Sequence, residues 1–211
     1  MVPVKIDEKT LERVREYFSK LENNVRIYYA IPEGGSKYGT LVRELLEILD
    51  GLSEKVTAIE MSKKFIEEHE IDKRPAIVIH GKKEYNIRYF GVPMGYEFGV
   101  LIEDIVYASK GVPDLPQEII SKISSIDRRV HIQVFVTPSC PYCPIMAKAS
   151  HMYAIANLNI VADVIEVMEF PSLADKYKVY AVPKVVINDE IEFEGAVPHE
   201  FFVEKIVESL S

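Results

Sequence analysis

The sequence predicts an α/β protein made of two tandem units, each a mixed central β-sheet flanked by helices. Three observations carry this. Strands that are apolar nearly throughout alternate with segments of helical spacing. The element order read in residues 113–211 recurs in residues 1–112. Local sequence recurs with it: Arg74-Pro75-Ala76-Ile77-Val78-Ile79 matches Val182-Pro183-Lys184-Val185-Val186-Ile187, and Gly91-Val92-Pro93 matches Gly195-Ala196-Val197-Pro198.

In the second half, residues 115–126 can share one helical face through Leu115, Ile119, Ile120, Ile123 and Ile126. Residues 130–136 read as a buried strand, 140–157 as a helix entered after a turn, 159–167 as a strand and 172–179 as a short helix. Strands 182–187 and 190–194 form a hairpin around Asn188-Asp189. Helix 198–210 closes the unit, with Phe201, Phe202, Val203, Ile206 and Val207 facing the core. The first half repeats this as helix 7–22, strand 25–31, helix 38–50, strand 56–61, short helix 62–70, hairpin strands 74–80 and 85–90 around Gly81-Lys82-Lys83, and helix 95–109. The boundary falls in Lys110-Gly111-Val112-Pro113-Asp114. A strand–helix–strand unit followed by a hairpin makes each sheet parallel in its first part and antiparallel in its last. Sheets packed side by side and sheets joined at their edges both satisfy the pattern.

With 48% hydrophobic and 27% charged residues among 211, disordered and fibrous classes are excluded. No apolar run approaches the roughly 20 residues of a membrane-spanning helix. The N-terminal segment turns charged and helix-patterned at once, without the apolar stretch of a secretory signal, so a cytoplasmic protein is expected. A net charge of −8 argues against nucleic acid or an anionic membrane as partner.

Cysteine usage is more specific. The chain holds two, Cys140 and Cys143, separated by Pro141-Tyr142. That is too few for a disulfide-stapled scaffold. The five histidines (His69, His80, His131, His151, His199) include no HxxxH pair, which gives zinc within one chain little support. His131 and His151 read as surface or strand-end residues rather than ligands. What remains is a local dithiol between a strand and a helix. Pro141 suits the first helical position, which makes Cys140 the cap residue with Cys143 one turn later. Unpaired backbone N–H groups and the positive end of the helix dipole then surround the Cys140 sulfur and favour its thiolate. Cys143, further inside, is placed to resolve a mixed disulfide. Pro144, counted as the fourth helical position, is expected to remove the first intrahelical bond. No GxGxxG or GxxxxGK[ST] segment is present, so no cofactor is expected and electrons would pass through sulfur alone.

Cys140-Pro141-Tyr142-Cys143 resembles the active-site tetrapeptide of glutaredoxins, and the element order with Val182-Pro183 resembles the thioredoxin fold. Two thioredoxin-like units in one chain of this size resemble the protein disulfide oxidoreductases of hyperthermophiles, also described as glutaredoxin-like or PDI-like. That resemblance implies a dithiol–disulfide oxidoreductase acting on protein disulfides, with Cys140 and Cys143 as the reacting pair and a cis Val182–Pro183 bond in a loop facing them. It implies recharging by a flavin-dependent thioredoxin reductase-type protein or a small thiol. Tyr142 is then an exposed wall for substrates. Glu166 reads first as a solvated strand-end carboxylate, while the resemblance implies a buried acid there that relays a proton. Glu60 takes the similar place in the first unit, with no thiol to serve.

The first unit departs from the pattern, with Ile31-Pro32-Glu33-Gly34-Gly35-Ser36-Lys37-Tyr38 where a second CxxC would stand. Depending on register, Gly34 or Gly35 takes the nucleophile's place and Lys37 or Tyr38 the resolving one. Residues 1–112 are therefore expected to be redox-inactive, a structural half or a docking surface. A tandem pair with only its second dithiol also resembles the N-terminal module of alkyl hydroperoxide reductase flavoproteins. The competing class is a binding or scaffold protein whose pair is a static disulfide or half of an intermolecular thiolate metal site.

Overall fold

The computed structural model describes residues 4–211; Met1–Pro3, the start of the N-terminal segment read above, lie outside the described residues. The first half runs α1 (Glu8–Phe18), β1 (Val25–Ala30), α2 (Lys37–Asp50), β2 (Val56–Glu60), α3 (Lys63–Glu68), β3 (Ala76–His80), β4 (Ile87–Phe90) and α4 (Tyr96–Lys110). The second runs α5 (Gln117–Ser124), β5 (Val130–Val136), α6 (Cys143–Ala156), β6 (Ile160–Glu166), α7 (Pro171–Lys176), β7 (Lys184–Ile187), β8 (Ile191–Glu194) and α8 (His199–Glu208). Asp7, Ser36 and Ser62 cap α1, α2 and α3 by accepting the N–H three residues on. α1 stops at Phe18, short of the expected 22, and the Glu22 and Asn23 N–H groups go instead to Ser109 Oγ at 2.9 and 2.8 Å. Asn188 and Asp189 both take positive φ, 52° and 59°, as the tight turn between β7 and β8 requires.

One eight-stranded sheet spans the chain in the order β2-β1-β3-β4-β6-β5-β7-β8. Within each half the first two strands are parallel and the hairpin antiparallel. Of the two arrangements open at the level of sequence, the edge-joined one forms: β4 pairs with β6 in parallel, from Ile87↔Ala162 to Phe90↔Ile165. The expectation that every strand is apolar throughout holds for the inner strands and fails at the rims. β8 alternates half-buried with exposed residues and β2 is mostly half-exposed, because an outer strand keeps one face in water. A continuous core from Val14 to Ile206 fills one face of the sheet across both halves, and a smaller cluster around Phe90, Phe135 and Ile165 fills the other.

Where β4 meets β6, Arg88 and Asp163 face each other in register. Arg88 Nε donates to Asp163 Oδ1 at 2.5 Å and His131 Nε2 lies 2.8 Å from Oδ2. Burial alone would raise the Asp163 carboxyl, but the Arg88 charge and the His131 hydrogen bond bring it down to about 2. His131 thus sits at a strand start, as expected. His151 does not: it is fully buried on α6, with Nδ1 2.6 Å from Asp104 Oδ2, which also accepts from Tyr89 Oη at 2.5 Å. A buried histidine is tolerable here because both ring nitrogens find partners, Nε2 lying 3.3 Å from the Arg88 carbonyl. In α8, Phe202, Val203 and Ile206 are buried, but Phe201 and Val207 are exposed. Five of seven consecutive positions exceed the stripe a helix can turn inward.

Candidate active site

β5 delivers the chain to its C-terminal end at Val136, and a turn closed by the Cys140 N–H on the Thr137 carbonyl (3.1 Å) carries it to the cysteines. Cys140 and Cys143 form a disulfide, with Cα atoms 5.5 Å apart. Regular helix starts at Cys143 rather than at 140, and Tyr142 takes the cap position. The Cys140 sulfur still does a cap's work, since the Cys143 N–H donates to its Sγ at 3.1 Å. Pro144 consequently falls on the second helical position, where an N–H has no acceptor within the helix. It breaks no intrahelical bond, contrary to the expectation from counting Pro141 as first.

Burial distinguishes the two sulfurs. Cys143 is fully buried, whereas Cys140 retains 8% exposure. Opposite them, the Val182–Pro183 bond is cis and the Val182 carbonyl oxygen lies 3.6 Å from Cys140 Sγ. The Pro183 carbonyl accepts the Gly195 N–H at 2.8 Å, which ties this loop to the end of β8. Tyr142 stands 61% exposed beside Cys140.

The first half reproduces this frame without the thiols. Arg74–Pro75 is also cis, and the Pro75 carbonyl accepts the Gly91 N–H at 3.0 Å, the counterpart of the Pro183–Gly195 bond. Strand ends and helix starts fix the register: Gly34 follows Ala30 as Cys140 follows Val136, and α2 begins at Lys37 as α6 begins at Cys143. Of the two registers, Gly34 and Lys37 therefore occupy the cysteine positions.

Glu166 ends β6, as expected, but the solvated reading is overturned. Its side chain is buried, Oε2 accepts the Glu169 N–H at 2.7 Å, and Oε1 has no partner among the described residues. Burial pushes its carboxyl above the ordinary value. It shares a small cavity with Val136, Tyr89, Gly91, Pro93 and Glu97. Glu97, in the first turn of α4, went unnoticed in the sequence. It is 2% exposed, its Oε1 also lacks a partner among the described residues, and burial followed by repulsion from Glu166 pushes it up to about 7. Glu169 rises to about 7 for the same reasons while holding the Val92 N–H at 2.7 Å. Nothing in the sequence separates Glu97 from a surface acid placed at a helix start for the dipole. Among the described residues no group of three or more His, Cys, Asp or Glu is arranged to hold a metal ion, and no helix is long and apolar enough to cross a membrane.

The Thioredoxin domain family matches residues 130–208, the stretch from β5 to α8. A protein disulfide oxidoreductase from Aeropyrum pernix K1 superposes with a TM-score of 0.88 at 26% identity, covering 96% of this chain and 93% of that one. The chain is a tandem thioredoxin-fold protein. The alkylhydroperoxide reductase AhpF of Enterococcus faecalis (V583) shares the fold at a TM-score of 0.87 and 21% identity, over 95% of this chain and 99% of that one. By sequence, the tandem thioredoxin-fold chain is 22% identical over 202 residues to the NADH dehydrogenase of Bacillus subtilis (strain 168), matching 95% of this chain and 38% of the relative. The alkyl hydroperoxide reductase of Staphylococcus aureus (strain Mu50 / ATCC 700699) is 25% identical over 179 residues, 85% of this chain and 33% of that one. This protein thus spans about a third of the length of the curated relatives it matches. These likenesses fit a thioredoxin-like disulfide oxidoreductase family, and the Cys140–Cys143 disulfide supplies the thiol–disulfide chemistry.

Proposed function

We propose that the protein is a thiol–disulfide oxidoreductase that reduces or exchanges protein disulfides through Cys140 and Cys143. The observation that carries this reading is the Cys140–Cys143 disulfide itself, with its first sulfur at the surface, capping the helix and facing the Val182 carbonyl. In the reduced protein the Cys140 thiolate attacks one sulfur of a substrate disulfide. A mixed disulfide forms and the first substrate thiolate leaves. Cys143 loses its proton and attacks Cys140 Sγ, which restores the protein disulfide and releases the second substrate thiolate. Two electrons move from the protein dithiol to the substrate. The reverse sequence donates the disulfide.

The Cys143 N–H on Cys140 Sγ supports the thiolate, because the same donor stabilises a negative sulfur more than a neutral one. Glu166 and Glu97 are the buried carboxyls nearest in the fold to the end of β5, and their raised pKa suits them to hold the proton that Cys143 gives up. Electrons pass through sulfur alone in this reading, and a flavin-dependent reductase or a small thiol recharges the pair. We place the protein in the cytoplasm. Residues 1–112 hold no cysteine and act as the redox-inactive unit beside the active one, 113–211.

Insulin reduction tests the assignment. Cys140→Ser abolishes turnover, and Cys143→Ser accumulates a mixed disulfide that persists on a non-reducing gel. Wild-type rates from Cys140→Ser would overturn it.

A further inference from the structure

A segment of the thiol-free half reaches the dithiol of the other half. Between β4 and α4, residues Gly91-Val92-Pro93-Met94-Gly95-Tyr96 are held by the second half at two points. At one end the Val92 N–H donates to Glu169 Oε1 at 2.7 Å. At the other the Tyr96 N–H donates to the Pro138 carbonyl at 3.2 Å. Gly95 makes that second contact possible: its φ is 62°, and a Cβ there would overlap the Pro138 oxygen. Pro138 precedes Cys140 by two residues, a reach of about 7 Å at most. The clamped segment therefore lies beside the reacting sulfur, and its two large side chains, Met94 and Tyr96, project into solvent at 41% and 55% exposure.

The composition around Cys140 completes the picture. Three segments frame it: 91–96 from the first half, 137–147 with the cysteines, and 179–183 with the cis proline. None of their residues is charged, although 22 residues at the chain's 27% would carry about six charges. Met94, Tyr96, Tyr142 and Ile145 are exposed large apolar side chains along this rim. Charge depletion with exposed Met and Tyr is the composition of a protein-contacting surface. A small disulfide needs only Cys140 Sγ, so side chains further out meet nothing smaller than a polypeptide.

We infer that the Gly91–Tyr96 segment is a wall of the substrate cleft, with Met94 and Tyr96 as specificity-determining residues that contact an uncharged, apolar stretch of polypeptide flanking the target disulfide. This rests on the oxidoreductase reading and names its substrate class. It also gives the thiol-free half a direct part in recognition. Methionine adapts to varied side chains and tyrosine offers a flat, amphipathic face, which fits a wall serving more than one sequence.

The test compares two probes on one variant, Met94→Ser with Tyr96→Ser, both exposed positions whose backbone bonds are kept. With insulin as substrate, kcat/KM falls about tenfold, mostly through KM, while the rate on hydroxyethyl disulfide stays within about twofold of wild type. Met94→Leu with Tyr96→Phe recovers most of the insulin rate. Equal losses on both probes would mean that the segment acts through the dithiol rather than on the polypeptide, and unchanged rates on both would mean that it touches no substrate. Either result overturns the proposal. Failure of the oxidoreductase reading looks different: wild-type protein would then reduce neither probe, or Cys140→Ser would reduce both.

Discussion

Arg88 and Asp163 are opposite neighbours on β4 and β6, and their 2.5 Å hydrogen bond lies buried in the seam that makes one sheet of two. Removing one partner strands a charge where water does not reach. Asp163→Ala is expected to cost about 3–5 kcal/mol, whereas Arg88→Met combined with Asp163→Leu loses much less because no charge is left alone. Urea unfolding of the three proteins separates these outcomes, and equal losses in the single and double variants would refute the account.

The same pair sets an acid limit. Asp163 is held at about 2, below its ordinary 3.8, so its contribution is complete above about pH 4 and is lost as pH falls toward 2. Asp163→Asn removes that dependence. Thermal midpoints of wild type and Asp163→Asn should converge between pH 4 and 2.

Glu97 has the opposite sign. Its carboxyl rises to about 7 in the fold, so the folded protein holds a proton that the unfolded chain releases near 4.5. Stability therefore falls as pH rises from about 4.5 to 7. Glu169 adds to the slope, since it too rises to about 7. Glu97→Gln stays neutral throughout, so its melting temperature should gain on wild type from pH 5 to pH 8. A constant difference would place Glu97 in a more polar setting than the structure gives it.

Ser109, buried near the end of α4, accepts the N–H groups of Glu22 and Asn23 and donates to the Asn23 carbonyl at 2.6 Å. Ser109→Ala leaves two amides and a carbonyl without that partner. The expected cost is about 2–4 kcal/mol. Hydrogen exchange at Glu22 and Asn23 should accelerate more than at neighbouring amides.

Two glycines of one region predict opposite signs. Gly95 has positive φ and no room for a Cβ against Pro138, so Gly95→Ala destabilises by about 2–4 kcal/mol. Gly99 lies within α4 with nothing near the space a Cβ would take, so Gly99→Ala stabilises by about 0.5–1 kcal/mol. Calorimetry on the two variants reads both.

Much of this architecture was legible because its signals are local. The buried strand read at 130–136 is β5 residue for residue, and the Asn188-Asp189 turn announced the last hairpin. The cysteine pair and the proline facing it could also be found from spacing and repeat. Features that depend on distant segments could not. His151 looks like any helical histidine until Asp104 and Arg88 come to meet it, and Glu97 looks like a dipole-matching acid until Glu166 closes over it. Helix starts were misjudged where a side chain replaced a backbone partner, as the Cys140 sulfur does for Cys143.

The seam between β4 and β6 also determines what happens if the chain is cut. Both strands are buried along their whole length, whereas at the sheet's natural ends, β2 and β8, fully buried positions are the minority and water is accommodated. Severing the halves near residue 112 would leave two bare apolar ladders with unpaired N–H and C=O groups, each a template for pairing with another copy. Either fragment made alone should precipitate or assemble edge to edge.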